Sequence, residues 1–151
     1  MLRLERTNAT NLNFIDLVKL LDSELAVRDG DDHDFYNQFN SIQGMDYCMV
    51  AYQDEQPAGC GAIKPFNDTM VEVKRMYTKI DFRGRGIAIS LLAGLEAWAK
   101  ELNYGYCILE TGINQPEAIA LYHKCGYERV ANYGQYEGVA TSYCFKKKLI
   151  T

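Results

Sequence analysis

The sequence predicts an α+β domain: a mostly antiparallel mixed sheet with one central parallel strand pair, flanked by helices. Three observations carry this. Val71 to Thr78 alternates apolar and polar residues, as a half-buried strand does. From about Gly86 to Leu102, the residues Ala88, Leu91, Leu92, Leu95, Trp98, Ala99 and Leu102 recur at three- and four-residue intervals and make one apolar stripe, closed by Asn103 and Gly105. A second strand, Tyr106 to Thr111, follows at once. Strand, crossover helix and strand then form a right-handed βαβ unit with parallel strands.

Ahead of this unit, Leu2 to Glu5 reads as a short strand and Leu12 to Val27 as a helix with Phe14, Val18, Leu21 and Leu25 on one face. An acidic stretch, Asp29 to Asp34, leads into a short helix through Phe39. Tyr47 to Gln53 and Ala58 to Phe66 form a hairpin about the turn Asp54-Glu55-Gln56-Pro57, and Asn67-Asp68 turns the chain into the strand at Val71. Behind the unit come a helix Pro116 to Lys124, a strand Tyr127 to Ala131, a polar aromatic loop Asn132 to Gly138, and a last strand Thr141 to Leu149. Pro116 suits a first helical turn, where its missing N–H costs little. Lys146-Lys147-Lys148 reads as a charged strand end that discourages edge pairing. No linker or repeat divides the chain, so residues 1–151 are expected to form a single domain.

Composition narrows the function classes. A net charge of −4 argues against a general nucleic-acid binder. No apolar run approaches membrane-spanning length and no signal-like N-terminus is present, so no membrane partner is expected. The 5 cysteines, Cys48, Cys60, Cys107, Cys125 and Cys144, include no Cys-x-x-Cys pair and read as reduced core residues of a cytoplasmic protein. His33 and His123 lack ligand-like spacing, so no metal site is expected. Lys74, Arg75, Lys79, Arg83 and Arg85 gather near one turn while acids lie elsewhere, a pattern suited to a polyphosphate ligand on an acidic protein.

That turn is Arg83-Gly84-Arg85-Gly86-Ile87-Ala88, lying between the strand and the helix. Glycines there let the backbone approach a ligand, and the free N–H groups of the first helical turn, with the helix dipole, favour an anion. A dinucleotide fingerprint would need a third spaced glycine, and a P-loop would need Gly-Lys-Ser/Thr; neither fits. The turn resembles the pyrophosphate-binding signature of the GNAT superfamily of acyl-CoA N-acyltransferases: Arg or Gln, two residues, Gly, one residue, then Gly or Ala. The segment Gln115 to Tyr127, with its Leu121-Tyr122 pair and Gly126-Tyr127, resembles the late helix of that superfamily. Many members carry Asn where Gln115 stands.

The resemblance implies the acyltransferase fold, with acetyl-CoA as co-substrate. It places the cofactor on Met76, Tyr77 and Thr78, on the turn Arg83, Gly84, Arg85, Gly86, Ile87 and Ala88, and on Gln115 and Ala118. Tyr122 stands where the superfamily carries its general acid, which must donate to the thiolate expelled from the thioester. The attacking amine must lose a proton, and Glu72, at the spacing some members use for a catalytic glutamate, is the leading base; Glu110 and ordered water are its rivals. Backbone N–H groups around Met76 and Tyr77 would hold the oxyanion if the strand bulges there. The acceptor would lie between Asp29–Asp34 and Asn132–Tyr136, and the early acids point to a small primary amine carrying positive charge. A protein lysine or N-terminal acetyltransferase and a non-catalytic CoA-binding module remain alternatives, and a homodimer is left open.

Overall fold

The computed structural model describes residues 1–32 and 41–149. The expected short helix through Phe39, with His33 and Asp34, lies outside these residues. The Asn11 side chain caps the first helix, accepting the Phe14 N–H at 3.0 Å. That helix, α1 (Leu12–Asp29), follows β1 (Leu2–Thr7) and runs slightly past the expected end at Val27. Then come β2 (Tyr47–Gln53), β3 (Gln56–Pro65), β4 (Met70–Thr78), α2 (Ile87–Glu101), β5 (Tyr106–Gly112), α3 (Pro116–Lys124), β6 (Glu128–Val130) and β7 (Ser142–Lys148).

The strands form one 7-stranded sheet in the order β1-β2-β3-β4-β5-β7-β6. Neighbours are antiparallel except β4 and β5, the parallel pair that α2 connects. Alternation then sorts the side chains. Cys48, Val50 and Tyr52 of β2 meet Phe14, Leu17, Val18 and Leu21 of α1 on one face. Met49 and Ala51 meet Leu91, Leu92 and Leu95 of α2 on the other, where α3 also packs through Tyr122.

Two expectations are corrected. The hairpin turn is the pair Asp54-Glu55, both at positive φ (50° and 66°), and Gln53 already pairs with Gln56. Pro57 therefore belongs to β3, where it faces Tyr52 beside a register shift that tolerates its missing N–H. The lysine run does not guard an edge as a unit, because β7 inserts between β5 and β6. Lys146 pairs with Ile108 on one side and Glu128 on the other, and the Lys147 ammonium donates to Glu96 at 2.9 Å.

The sheet is irregular at its centre. Ala62 pairs with Lys74 and Cys60 with Tyr77, so β4 carries one extra residue, a β-bulge at Arg75 and Met76, with Arg75 at a φ of 59°. On its other side β4 pairs with β5 only from Met70 to Glu72. Beyond Glu72 the two strands part, and the gap between them is the cleft.

Candidate active site

The end of β4, the Gly-rich turn, α1 and α3 line a cavity of about 490 Å³. Of the residues expected to hold the cofactor, Met76, Tyr77, Thr78, Arg83, Gly84, Gly86, Ile87, Ala88, Gln115 and Ala118 line it. Arg85 does not; its guanidinium lies 5.4 Å from the centre of the Phe82 ring. Gly84 and Gly86 have φ of 78° and 79°, and a Cβ on either would meet nothing within 4 Å, so it is the backbone conformation that calls for glycine. Gly86 ends the turn and starts α2 without a side-chain cap, leaving the first-turn N–H groups to an anion.

The expected cluster of cations at this turn is smaller than the sequence implies. Arg83 donates to the Thr78 carbonyl at 2.8 Å and to both Glu24 carboxylate oxygens at 3.0 and 3.1 Å. Lys74 and Arg75 line a different cavity, because the parting of β4 from β5 separates mid-strand from turn. Arg28 of α1 also reaches Glu117 of α3, at 2.7 and 3.0 Å, so two ion pairs cross between α1 and the walls of the larger cavity.

The second cavity, of about 120 Å³, adjoins the first. Leu21, Met76, Gln115, Ala118 and Tyr122 belong to the walls of both. Tyr122 thus stands at the junction. Its ring is buried against Tyr127 and Phe145, at 5.8 and 6.1 Å between centres, and its hydroxyl has no hydrogen-bond partner among the described residues. Burial, then the field of Glu110, raises its pKa, so it stays a neutral phenol.

The smaller cavity holds charges of both signs. Glu72 and Lys74 share one face of β4, as alternation requires, with 3.8 Å between ammonium and carboxylate. Tyr133 donates to the other Glu72 oxygen at 2.7 Å. Glu110 accepts from the Ser142 hydroxyl at 2.7 Å. Burial first, opposed by Ser142 and aided by Glu72 and Asp29, pushes the Glu110 carboxyl up from the ordinary 4.5 to about 7. Burial also lowers the Lys74 ammonium, against the pull of Glu72.

Of the early acids, Asp29 lines this cavity and Asp31 does not. Asp22 is paired with Arg75 and Glu24 with Arg83, so neither is a bare attractive charge. From the late loop Tyr136 lines the cavity and Tyr133 grips Glu72. Ser142 is a site residue that the sequence did not single out; Tyr133 lies in the loop expected beside the acceptor, but its grip on Glu72 was not foreseen, and Arg75, expected near the phosphate turn, lines the smaller cavity instead.

Residues 14–127 match the sequence model of the Acetyltransferase (GNAT) family. The chain is 34% identical over 96 residues to the N-acetyltransferase YjgM of Escherichia coli K12, covering 62% of this chain and 57% of that one. It is 36% identical over 89 residues to the IAA acetyltransferase of Azospirillum brasilense, 58% of each. The matches thus span under two thirds of these relatives' length. Among solved structures, a protein assigned to the acyl-CoA N-acyltransferases from Klebsiella pneumoniae superposes with a TM-score of 0.84 at 27% identity over 99% of both chains. A GNAT acetyltransferase of Elizabethkingia anophelis with acetyl-CoA bound shares the fold, at a TM-score of 0.71, 17% identity and 98% of both chains. The chain belongs to the GNAT acetyltransferase family, whose co-substrate is acetyl-CoA.

Proposed function

We propose that the protein transfers the acetyl group of acetyl-CoA to the primary amine of a small molecule by direct attack on the thioester. The observation that carries this reading is the junction of two cavities at Tyr122, one bordered by the Gly-rich turn and one small and charged. A volume of about 120 Å³ is small beside the roughly 300–1,000 Å³ typical of sites for drug-sized ligands, which favours a small acceptor over a peptide.

In this reading the backbone of Arg83, Gly84, Gly86, Ile87 and Ala88 holds the pyrophosphate and Gln115 and Ala118 border the pantetheine arm. Acetyl-CoA supplies an activated acyl group and a thiolate leaving group. The carboxylates Glu72, Glu110 and Asp29 receive the acceptor as its ammonium ion. Glu110 then takes the proton, because a base with a pKa near 7 is half ionised at the working pH. Glu72, with a partner on each oxygen, orients the amine. N–H groups at the β4 bulge, around Met76 and Tyr77, stabilise charge on the acetyl oxygen, and Tyr122 donates to the leaving sulfur. Its raised pKa makes hydrogen bonding rather than full proton transfer the larger part of that role.

The test is CoA release over a panel of amines, amino acids, polyamines, aminoglycosides and basic peptides. Turnover on small amines supports the reading. Preference for basic peptides would replace it with a protein acetyltransferase, and tight acetyl-CoA binding without turnover on any acceptor with a CoA-binding module.

A further inference from the structure

We infer that the acceptor carries a carboxylate beside its amine, and that Arg75 binds it. This rests on the smaller cavity being the acceptor site. Arg75 lines that cavity with a side chain only 2% exposed. One of its terminal nitrogens is taken by Asp22 of α1, while its Nε is buried with no hydrogen-bond partner among the described residues. A buried guanidinium donor left unmatched is costly, and a structural tie between α1 and the bulge accounts for the Asp22 contact but not for the idle Nε.

The backbone points the same way. Arg75 holds a φ of 59° at the bulge, a conformation that non-glycine residues adopt at some expense and that gathers at ligand sites. Next to it Lys74 adds a second positive charge, and Glu72, Glu110 and Asp29 supply the negative ones in the same small space. A simple amine satisfies the acids and leaves the Arg75 Nε unmatched. An amino acid, with ammonium and carboxylate a few bonds apart, satisfies both.

The experiment compares matched acceptors on the wild-type protein: amino acids of several side chains, their primary amides, and the amines lacking the carboxyl group, for instance alanine, alaninamide and ethylamine. The acid is expected to exceed both others in kcat/KM by roughly 10- to 100-fold, the worth of a charge-assisted hydrogen bond. Arg75→Lys keeps the charge and removes the Nε fork, so the acid-to-amide ratio should fall toward one. Should that variant fail to fold, competition on the wild type serves instead: propionate should inhibit against the acceptor where propionamide does not. Equal turnover of acid, amide and amine overturns the inference while leaving acetyl transfer standing. If none of the three releases CoA, calorimetry in the presence of CoA decides; tighter binding of alanine than of alaninamide keeps the carboxylate site and removes the transfer reading, and equal binding removes both.

Discussion

Replacing Glu110 by Gln separates two consequences of one buried carboxyl group. Its pKa in the fold is about 7 against an ordinary 4.5, so the folded protein binds this proton more tightly than the unfolded chain does. The stability it contributes is complete below about pH 4.5 and is lost as pH rises through 7. Between pH 5 and pH 8 the wild type therefore loses about 2–3 kcal/mol through this group, and an uncharged Gln of similar volume does not. Urea unfolding at both pH values reads the difference: the stability of Glu110→Gln relative to wild type should rise by that amount from pH 5 to pH 8. Activity should move the other way. Wild-type kcat/KM should climb through an apparent pKa near 7, and the variant should lose that limb with a rate about 10²–10⁴-fold lower, recovering toward high pH where the free amine is abundant. Glu72→Gln should keep the limb. A stability difference indifferent to pH, or an acidic limb that survives in Glu110→Gln, would refute the assignment.

Tyr122→Phe should retain acetyl-CoA affinity and lower turnover about 10²–10⁴-fold under chemistry-limited conditions, since only the hydroxyl at the junction is removed; wild-type turnover would make Tyr122 a packing residue. Gly86→Val places a β-branched side chain at a φ of 79°, where no protein atom crowds it but the cofactor backbone contact must form. Calorimetry should then register a large loss of acetyl-CoA affinity, and unchanged affinity would sink the phosphate-turn assignment. Glu24→Gln frees Arg83 from a partly exposed ion pair and removes a carboxylate from the cofactor cavity. Acetyl-CoA binding should tighten by roughly 2- to 5-fold at low salt and less at high salt, and weaker binding would mean that the pair shapes the cavity instead of competing for it.

The parts of this molecule that were legible in the sequence are those set by local pattern. The βαβ unit needs only a strand period, a helix period and the turn between them, and ten of the eleven proposed cofactor residues line one cavity. What was hidden depends on contacts between distant segments. Tyr133 reaches Glu72 across 61 positions, and nothing near either residue announces the pair. The place of β7 between β5 and β6 is decided by sheet pairing, so the lysine run looked like an edge. The Asp54-Glu55 turn takes two positive φ values without the Asn or Gly that usually signals them, and Pro57 drew the reading toward a longer turn.

The bulge at Arg75 is the least legible feature and the one on which the site depends. A regular strand would carry the odd residues of β4 on one face throughout, placing Tyr77 beside Val71 and Val73 against α2. One extra residue reverses the parity: Met76 packs on the α2 and α3 face with Val71 and Val73, and Tyr77 crosses to the α1 face. Met76 thereby reaches the wall shared with Gln115, Ala118 and Tyr122, while Glu72 and Lys74, ahead of the bulge, line the smaller cavity with Asp29 of α1. The left-handed conformation costs on the order of 1–3 kcal/mol. It is offset by the ion pair with Asp22, buried at the Arg75 end only, and by the Cys60 thiol donating to the Arg75 carbonyl at 3.3 Å. Because Arg75 both makes the bulge and lines the smaller cavity, the acceptor site and the backbone that borders the cofactor are set by the same residue, and neither can be altered there without the other.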